Sequence, residues 1–236
     1  MLSEMSRLNL VSGRRRWGLI FLACLSWQMA ACQKASVNVS EPASGSLKIN
    51  SILVLPFFDL SNLPGQHPDT RSPASGRMFI TGEVVDNATD FLTDRVVSWL
   101  QGNTAYVIRI PDYSPNASAI LDATGGGLTL NRKNLTEMGR KQEADAVLVG
   151  FVYRFRERVG KGFSAESPAS VAFDLHLIRV ADGRTVWSAN FDETQQSLGQ
   201  NLFQLGTFLT RGGRWITAED MATNGLDNIL NKFPKQ

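Results

Sequence analysis

The sequence has 236 residues, of which 43% are hydrophobic and 19% are charged, so it can bury a domain-sized core and is not typical of a disordered chain. Residues 1–31 hold four arginines and one acid; the rest has 20 basic and 21 acidic residues, without the basic excess that a nucleic-acid-binding face requires. Both cysteines, Cys24 and Cys32, precede residue 33, which excludes a cysteine nucleophile, a Cys-based zinc site and a folding disulfide from everything after them.

The N-terminus is typical of a secretory signal. Three arginines at 14–16 precede a 15-residue apolar stretch, 17–31, which ends in small residues. This stretch is shorter than the roughly 20 residues that a membrane-spanning helix requires. We therefore predict a signal peptide at residues 1–31.

The sequence Met29-Ala30-Ala31-Cys32 resembles the bacterial lipoprotein box. The resemblance implies that the Cys32 thiol receives a diacylglyceryl group and that the signal is removed before it. Gln33 replaces the aspartate that is typical of inner-membrane retention, which favours the outer membrane with the protein facing the periplasm. Residues 32–48 then form a lipidated cysteine and a flexible, Ser/Pro/Ala/Gly-rich tether that spans ~20–25 Å on average.

Residues 49–236 are predicted to form a single α/β domain. The apolar run at 51–59 indicates a buried strand, the apolar stripe at 83–101 a helix, and residues 105–110 a second strand. A second helix is predicted from a capping-box pattern at Asn134–Glu137, and residues 145–158 form the next strand.

The second half of the domain begins with two strands and ends with helices. Strands at 171–180 and 185–191 flank Asp182-Gly183, a strong hairpin signal. Capping patterns at Ser197–Gln200 and Thr217–Asp220 begin two helices. The order β-α-β-α-β-β-β-α-α predicts a mixed β-sheet covered by helices.

Three stretches within this order resemble the CsgG/LpoB-like group of envelope lipoproteins. They are residues 52–61, 143–150 and 177–188. The group includes the curli secretion channel and the outer-membrane activators of penicillin-binding proteins. The resemblance implies a CsgG/LpoB-like fold and a non-catalytic binding or adaptor lipoprotein with a protein partner, such as a peptidoglycan synthase or an export apparatus.

The alternative is an oligomeric subunit of a CsgG-like outer-membrane secretion channel. Such a channel adds amphipathic hairpins, for which the candidates are 61–82, 111–131 and the tip at 155–170. The first two are rich in Pro, Gly and Asn and alternate little, so we predict long loops there, a length that is often functional.

An enzyme is the least favoured class. Asp174 and His176 share a strand face, but no serine or cysteine nucleophile motif accompanies them, and we expect Asp174 to pair with Arg154 across the strands. The triplet at 125–127 lacks the lysine of a phosphate-binding loop. Four acidic residues lie near the start of the first helix, where the helix dipole stabilises negative charge, and we expect them to form a solvated acidic face rather than a metal site: Glu83, Asp86, Asp90 and Asp94. We predict no catalytic residues, metal or cofactor.

One candidate partner surface remains. Arg154, Arg156 and Arg158 alternate with aromatic residues at 151, 153 and 155, which predicts a basic stripe opposite an aromatic one. Arginine and aromatic residues are enriched in protein interfaces. The stripe is either a solvent-facing strand end or a contact surface for an acidic partner or anionic glycan.

Overall fold

A computed structural model describes residues 36–40, 49–61, 69–112, 115–124, 127–159, 167–195 and 216–235. The centre of the protein is a seven-stranded mixed sheet. Its strands are β1 (Ser36–Ser40), β2 (Ser51–Val54), β3 (Phe58–Asp59), β6 (Val107–Arg109), β9 (Ala146–Arg156), β10 (Ser170–Arg179) and β11 (Thr185–Thr194). They lie in the order β1-β11-β10-β9-β2-β6, and β3 also pairs with β9. The strands β2, β3 and β6 run parallel to their neighbours, and the other pairs are antiparallel.

The described residues also contain two small hairpins and four helices. The hairpins are β4 (Asp69–Arg71) with β5 (Met78–Ile80), and β7 (Leu121–Thr124) with β8 (Gly127–Leu130). They lie within the predicted long loops 61–82 and 111–131. The helices are α1 (Ala88–Asn103), α2 (Ala117–Ile120), α3 (Arg132–Lys141) and α4 (Ala218–Leu230). The prediction of a mixed sheet covered by helices is confirmed.

The sheet separates two hydrophobic cores. On one face, α1 and α4 bury Leu92, Val96 and Leu226 against Trp187 and Phe173. On the other face, α3 and the two hairpins pack against β2, β9 and part of β10, with Phe79 and Leu135 in this second core. β9 is buried along nearly its whole length because it lies between both layers.

Helix starts differ from the predictions where the backbone has another partner. α1 begins at Ala88 rather than residue 83, because Glu83 and Val85 instead bond to the backbone of Phe155 on β9. α3 is capped by Asn131, whose side chain accepts from the Asn134 N–H, so the capping box predicted at Asn134 is wrong. The Thr217–Asp220 capping box is confirmed at the start of α4.

The β10–β11 hairpin turns where it was predicted. Gly183 has φ +68°, a left-handed conformation that glycine adopts without steric cost. Asp182 binds the Arg179 guanidinium through both carboxylate oxygens, and this lowers the pKa of Asp182 to about 2.

Strand β1 corrects the predicted flexible tether. Residues 36–40 pair antiparallel with β11 from Ser36↔Asp192 to Ser40↔Ser188, as an edge strand of the main sheet. Val37 and Val39 pack against the core beneath α4, while Asn38 points to solvent. The alternation Ser-Val-Asn-Val-Ser is a short strand pattern that the polar composition of the segment conceals.

No helix in the described part of the chain is long and apolar enough to cross a membrane.

Candidate functional site

Among the described residues, a cluster of buried and half-buried polar groups surrounds Arg154 on β9. Arg154 opposes Ala172 on β10, which in turn opposes Asp192 on β11. Because alanine is small, the arginine side chain can reach across β10, and its Nη2 lies 2.6 Å from Asp192 Oδ1. The guanidinium therefore joins three strands of the sheet.

The other nitrogens of Arg154 are also engaged. Nε donates to Ser170 Oγ and Nη1 donates to the backbone carbonyl of Ile80, at the end of β5. A longer contact of 3.4 Å joins Nη2 to Thr194 Oγ1. Only 7% of Arg154 is exposed. Each of its three guanidinium nitrogens has a hydrogen-bond partner inside the protein, which restricts the candidate contact surface to Arg156 and Arg158.

The predicted pairing of Arg154 with Asp174 is wrong. The β9–β10 register shifts between Ala172 and Phe173, so that Asp174 opposes Phe151. This irregularity is a β-bulge, with Tyr153 as the extra residue between Val152 and Arg154. A bulge cannot be seen in a pattern of two-residue alternation.

The bulge also separates the predicted basic and aromatic stripes. Phe151 and Tyr153 lie in the core beneath α3 and the hairpins, whereas Phe155 lies in the core beneath α1 and α4. Arg154 shares the sheet face of Ala172, which belongs to the same core as Tyr153. The prediction of one continuous aromatic face is therefore wrong.

Asp174 and His176 meet inside the protein, as their shared face predicts. Asp174 Oδ2 lies 2.9 Å from His176 Nε2, and each residue is 1% exposed. The contact lacks hydrogen-bond geometry, and neither imidazole nitrogen has another protein partner. The other carboxylate oxygen, Oδ1, accepts from the Tyr153 hydroxyl at 3.1 Å.

Tyr153 is held as a neutral donor in this group. Burial, and secondarily the negative charge of Asp174, raise the pKa of Tyr153 well above its usual value. The Phe79 ring stacks on the Tyr153 ring at a centroid distance of 4.1 Å and covers it. Ser188 opposes His176 on β11, but a substrate reaches the Asp174–His176 pair only if the protein opens.

The other chemical candidates do not assemble. The described residues contain no group of three or more His, Cys, Asp or Glu side chains placed to hold a metal ion. Glu83, Asp86, Asp90 and Asp94 are all exposed, the last two on α1 itself. Gly127 has open space at its Cβ position, and Gly125 and Gly126 lie outside the described residues.

Some predicted features fall outside the described residues altogether. They are Cys32, the helix that begins at Ser197, and the tip at 160–166 of the predicted 155–170 segment. Arg156 and Arg158 are described and half-buried at the end of β9, so the end of the predicted stripe stays at the surface.

The actual partners of Arg154 were not predicted from the sequence. Asp192 follows the predicted strand end at residue 191, and Ser170 precedes the predicted strand start at 171. The alternation Trp187, Ala189, Phe191 places Ser188, Asn190 and Asp192 on one face, and this pattern could have indicated Asp192. No sequence signal places the Ile80 carbonyl beside the arginine.

The sequence matches no family model and no curated protein at a significant level. Its structure is similar to PelC from Paraburkholderia phytofirmans, a dodecamer in its crystals, over 86% of this chain and all of PelC, with 16% identity and a TM-score of 0.50. A point variant of the same PelC, also a dodecamer, gives a TM-score of 0.51. The LpoB C-terminal domain from Salmonella enterica is matched over 64% of this chain and 87% of that domain, with 14% identity and a TM-score of 0.31. The likeness to PelC shows a shared fold.

Proposed function

We propose that this protein is a lipid-anchored, periplasm-facing lipoprotein of the bacterial outer membrane that acts by binding other proteins and not by catalysis. The anchor is the Cys32 thiol within Met29-Ala30-Ala31-Cys32. Its partner is a protein of an envelope machine, and a peptidoglycan synthase and an export apparatus are the two classes that the sequence resemblance suggests.

The burial of His176 carries the non-catalytic part of this proposal. Among the described residues, His176 is the only histidine. It is 1% exposed, and so is the neighbouring Asp174. A general acid or base must lie within hydrogen-bond reach of the substrate proton that it transfers. In the folded protein no histidine among the described residues is accessible to a substrate.

The anchor is tested with a Cys32→Ala variant in a Gram-negative host. We expect the wild-type protein to incorporate labelled palmitate and to fractionate with the outer membrane, and the variant to lose both properties. A matched Cys24→Ala variant should keep them, because residue 24 lies inside the predicted signal. Labelling of Cys32→Ala would contradict the assignment.

A second candidate is an oligomeric subunit of an envelope assembly, and the fold shared with the PelC dodecamer favours it. The main sheet has two edge strands, β1 and β6, within the described residues. On and beside β6, Val107 and Ile110 are more than half exposed. An exposed apolar edge is a template for pairing with another chain.

The mass of the lipidated protein in detergent, corrected for bound detergent, separates the two candidates. A monomer or dimer is expected of an adaptor, and crosslinking would then seek its partner. A closed ring of many subunits is expected of an assembly, in which case Val107→Lys should reduce the mass. Met78→Lys on β5, where Met78 is also exposed, is the matched control.

A further inference from the structure

Six basic residues lie on α3 and on the turn that joins β10 to β11. Each of them is exposed or half-buried, and all lie within the described part of the chain: Arg132, Lys133, Arg140, Lys141, Arg179 and Arg184. Two acidic residues lie among them, Glu137 on the helix and Asp182 in the turn. We call the surface formed by these eight residues the basic ridge.

Helix and turn form one continuous surface. Arg132 Nη1 donates to the Gly183 carbonyl at 2.8 Å and to Thr185 Oγ1 at 3.1 Å. The helix also approaches the sheet closely, because a Cβ on Gly139 would collide with the side chain of Val180 at the end of β10. The basic ridge is therefore held in a fixed arrangement by hydrogen bonds and packing.

The turn keeps a positive charge at its surface. Asp182 binds the Arg179 guanidinium through both carboxylate oxygens and lies 3.8 Å from Arg184. One carboxylate cannot neutralise two guanidinium groups. The Arg184 side chain is 80% exposed, so its charge is accessible to a partner.

The helix carries a charge that its own stability does not favour. Lys133 is exposed in the first turn of α3, which holds no acidic residue and where the helix dipole disfavours a cation. Glu137 lies one turn from both Lys133 and Lys141, and it can neutralise only one of them. No contact among the described residues explains Lys133. A charge kept against a local preference is typical of a functional surface.

Neighbouring acidic residues do not remove the basic excess. Three of them lie beside the ridge, and each already has a partner: Asp122, Glu143 and Asp145. The partner of Glu143 is Arg109, at 3.8 Å. With these four neighbours counted, seven basic residues stand against five acidic ones, whereas the other described residues comprise eight basic and fourteen acidic ones. The basic ridge thus contrasts with an otherwise acidic described domain.

The acidic residues inside the ridge indicate which anionic partner fits it. A layer of anionic headgroups presents negative charge everywhere and would also face Glu137 and Asp182. A protein segment can place its carboxylates at the basic groups and a neutral or basic group opposite Glu137. The ridge also lacks the apolar residues that insert into a membrane interface, because the exposed large apolar residues of the described chain lie elsewhere: Met78, Ile80, Val107, Ile110 and Val159.

We propose that the basic ridge binds an acidic segment of a protein partner. Carboxylates of this segment pair with Lys133 and Lys141 on α3 and with Arg184 at the turn, where the guanidinium can donate to both oxygens of one carboxylate. The proposal rests on the proposed function as a protein-binding lipoprotein, and it names the surface and the chemistry of the partner.

Binding is measured with the full-length protein in neutral detergent, from the anisotropy of a fluorescein-labelled deca-glutamate peptide at about 0.1 M salt. We expect Lys133→Gln with Lys141→Gln to weaken binding about four- to twenty-five-fold, since one exposed ion pair contributes roughly two- to fivefold. Lys232→Gln with Lys235→Gln is the matched control. Both lysines are exposed and follow α4, which packs on the other face of the sheet, so binding should stay within about twofold.

Two single variants separate binding from stability. Lys133→Gln removes a cation from the first turn of α3, so it should raise the Tm by about 1–3 °C while it weakens binding. Glu137→Gln should tighten binding about two- to fivefold, because it removes a carboxylate that repels the peptide. A lower Tm together with weaker binding in Lys133→Gln would make this lysine a structural residue and overturn its role in the ridge.

Unlabelled competitors identify the class of partner. At equal total negative charge, deca-glutamate should displace the labelled peptide better than deca-galacturonate or detergent micelles that contain phosphatidylglycerol. Stronger displacement by deca-galacturonate would assign the ridge to an anionic glycan, and stronger displacement by the micelles would assign it to lipid. Either result overturns the protein partner.

Failure of the ridge is distinguishable from failure of the proposed function. Equal affinity of the wild type and the Lys133→Gln, Lys141→Gln variant overturns the ridge, as does a wild type that does not bind the peptide, and protein binding through another surface is unaffected by either result. The assay does not depend on the lipid at Cys32, which palmitate labelling tests separately.

Discussion

Two buried polar groups occupy the same side of the sheet but differ in how their hydrogen-bonding capacity is used. Arg154 is paired with Asp192 and has Ser170 and the Ile80 carbonyl as further acceptors. His176 touches Asp174 but has no well-formed hydrogen bond at either ring nitrogen. A buried charge with all its partners holds strands together, whereas a buried group without them is a cost that other packing must offset.

The largest expected effect is at Arg154. We expect Arg154→Ala to reduce the free energy of unfolding by about 3 kcal/mol, because it leaves Asp192, Ser170 and the Ile80 carbonyl without their donor. Arg184→Ala is the control: its side chain is 80% exposed, so the change should be within about 0.5 kcal/mol. Urea unfolding with unchanged m-values measures both. Equal midpoints for the two variants would contradict the structural role of Arg154.

A smaller effect is expected at Asp174, where the partners are incomplete. Asp174→Leu alone should cost about 2 kcal/mol, since the Tyr153 hydroxyl loses its acceptor and His176 its neighbouring carboxylate. The double variant Asp174→Leu with His176→Leu should recover about 1 kcal/mol of this, because apolar pairs often replace buried ion pairs at little cost. A double-mutant cycle in urea measures the coupling. If His176→Leu only adds to the loss, the comparison between the two groups is wrong.

The pH dependence at Tyr153 sharpens the same comparison. Its pKa is raised above the unfolded value, so its contribution to stability is complete below about pH 10 and is lost as pH rises toward the folded pKa. We expect wild-type stability to fall more steeply than that of Tyr153→Phe between about pH 9.5 and 11. The variant itself should cost about 1 kcal/mol at neutral pH. Parallel curves in that range would show that Tyr153 does not ionise with unfolding.

The smallest effect concerns the fit around Arg154. A Cβ on Gly82 would lie 3.0 Å from Cγ and Cδ of Arg154, which its hydrogen bonds hold in place. We therefore expect Gly82→Ala to cost about 1 kcal/mol through overpacking. Gly102→Ala meets nothing within 4 Å in α1 and should stabilise by about 0.5–1 kcal/mol. Thermal unfolding of the two variants should shift in opposite directions, and a shared direction would contradict this explanation.

Sequence patterns predicted the sheet well where one pattern of apolar and polar residues continues unbroken along a strand. The apolar run before residue 56, the Asp182-Gly183 turn and the Thr217 capping box all form as predicted, because local backbone and side-chain preferences suffice for them. The patterns predicted the Arg154 site poorly. The bulge at Tyr153 changes the face of every residue after it, and its cause lies in a pairing between distant strands.

By itself, the sequence determined the α/β class and the shared face of Asp174 and His176, since each depends on composition, local spacing or two-residue alternation. The signal and lipoprotein box stay predictions from the sequence. Only the tertiary structure decided that Arg154 is bound to Asp192 and that residues 36–40 form an edge strand. Both are long-range pairings: β1 joins β11 about 150 residues later, and Arg154 reaches across a third strand because Ala172 leaves room. Such contacts depend on register and side-chain volume at positions that no local pattern connects.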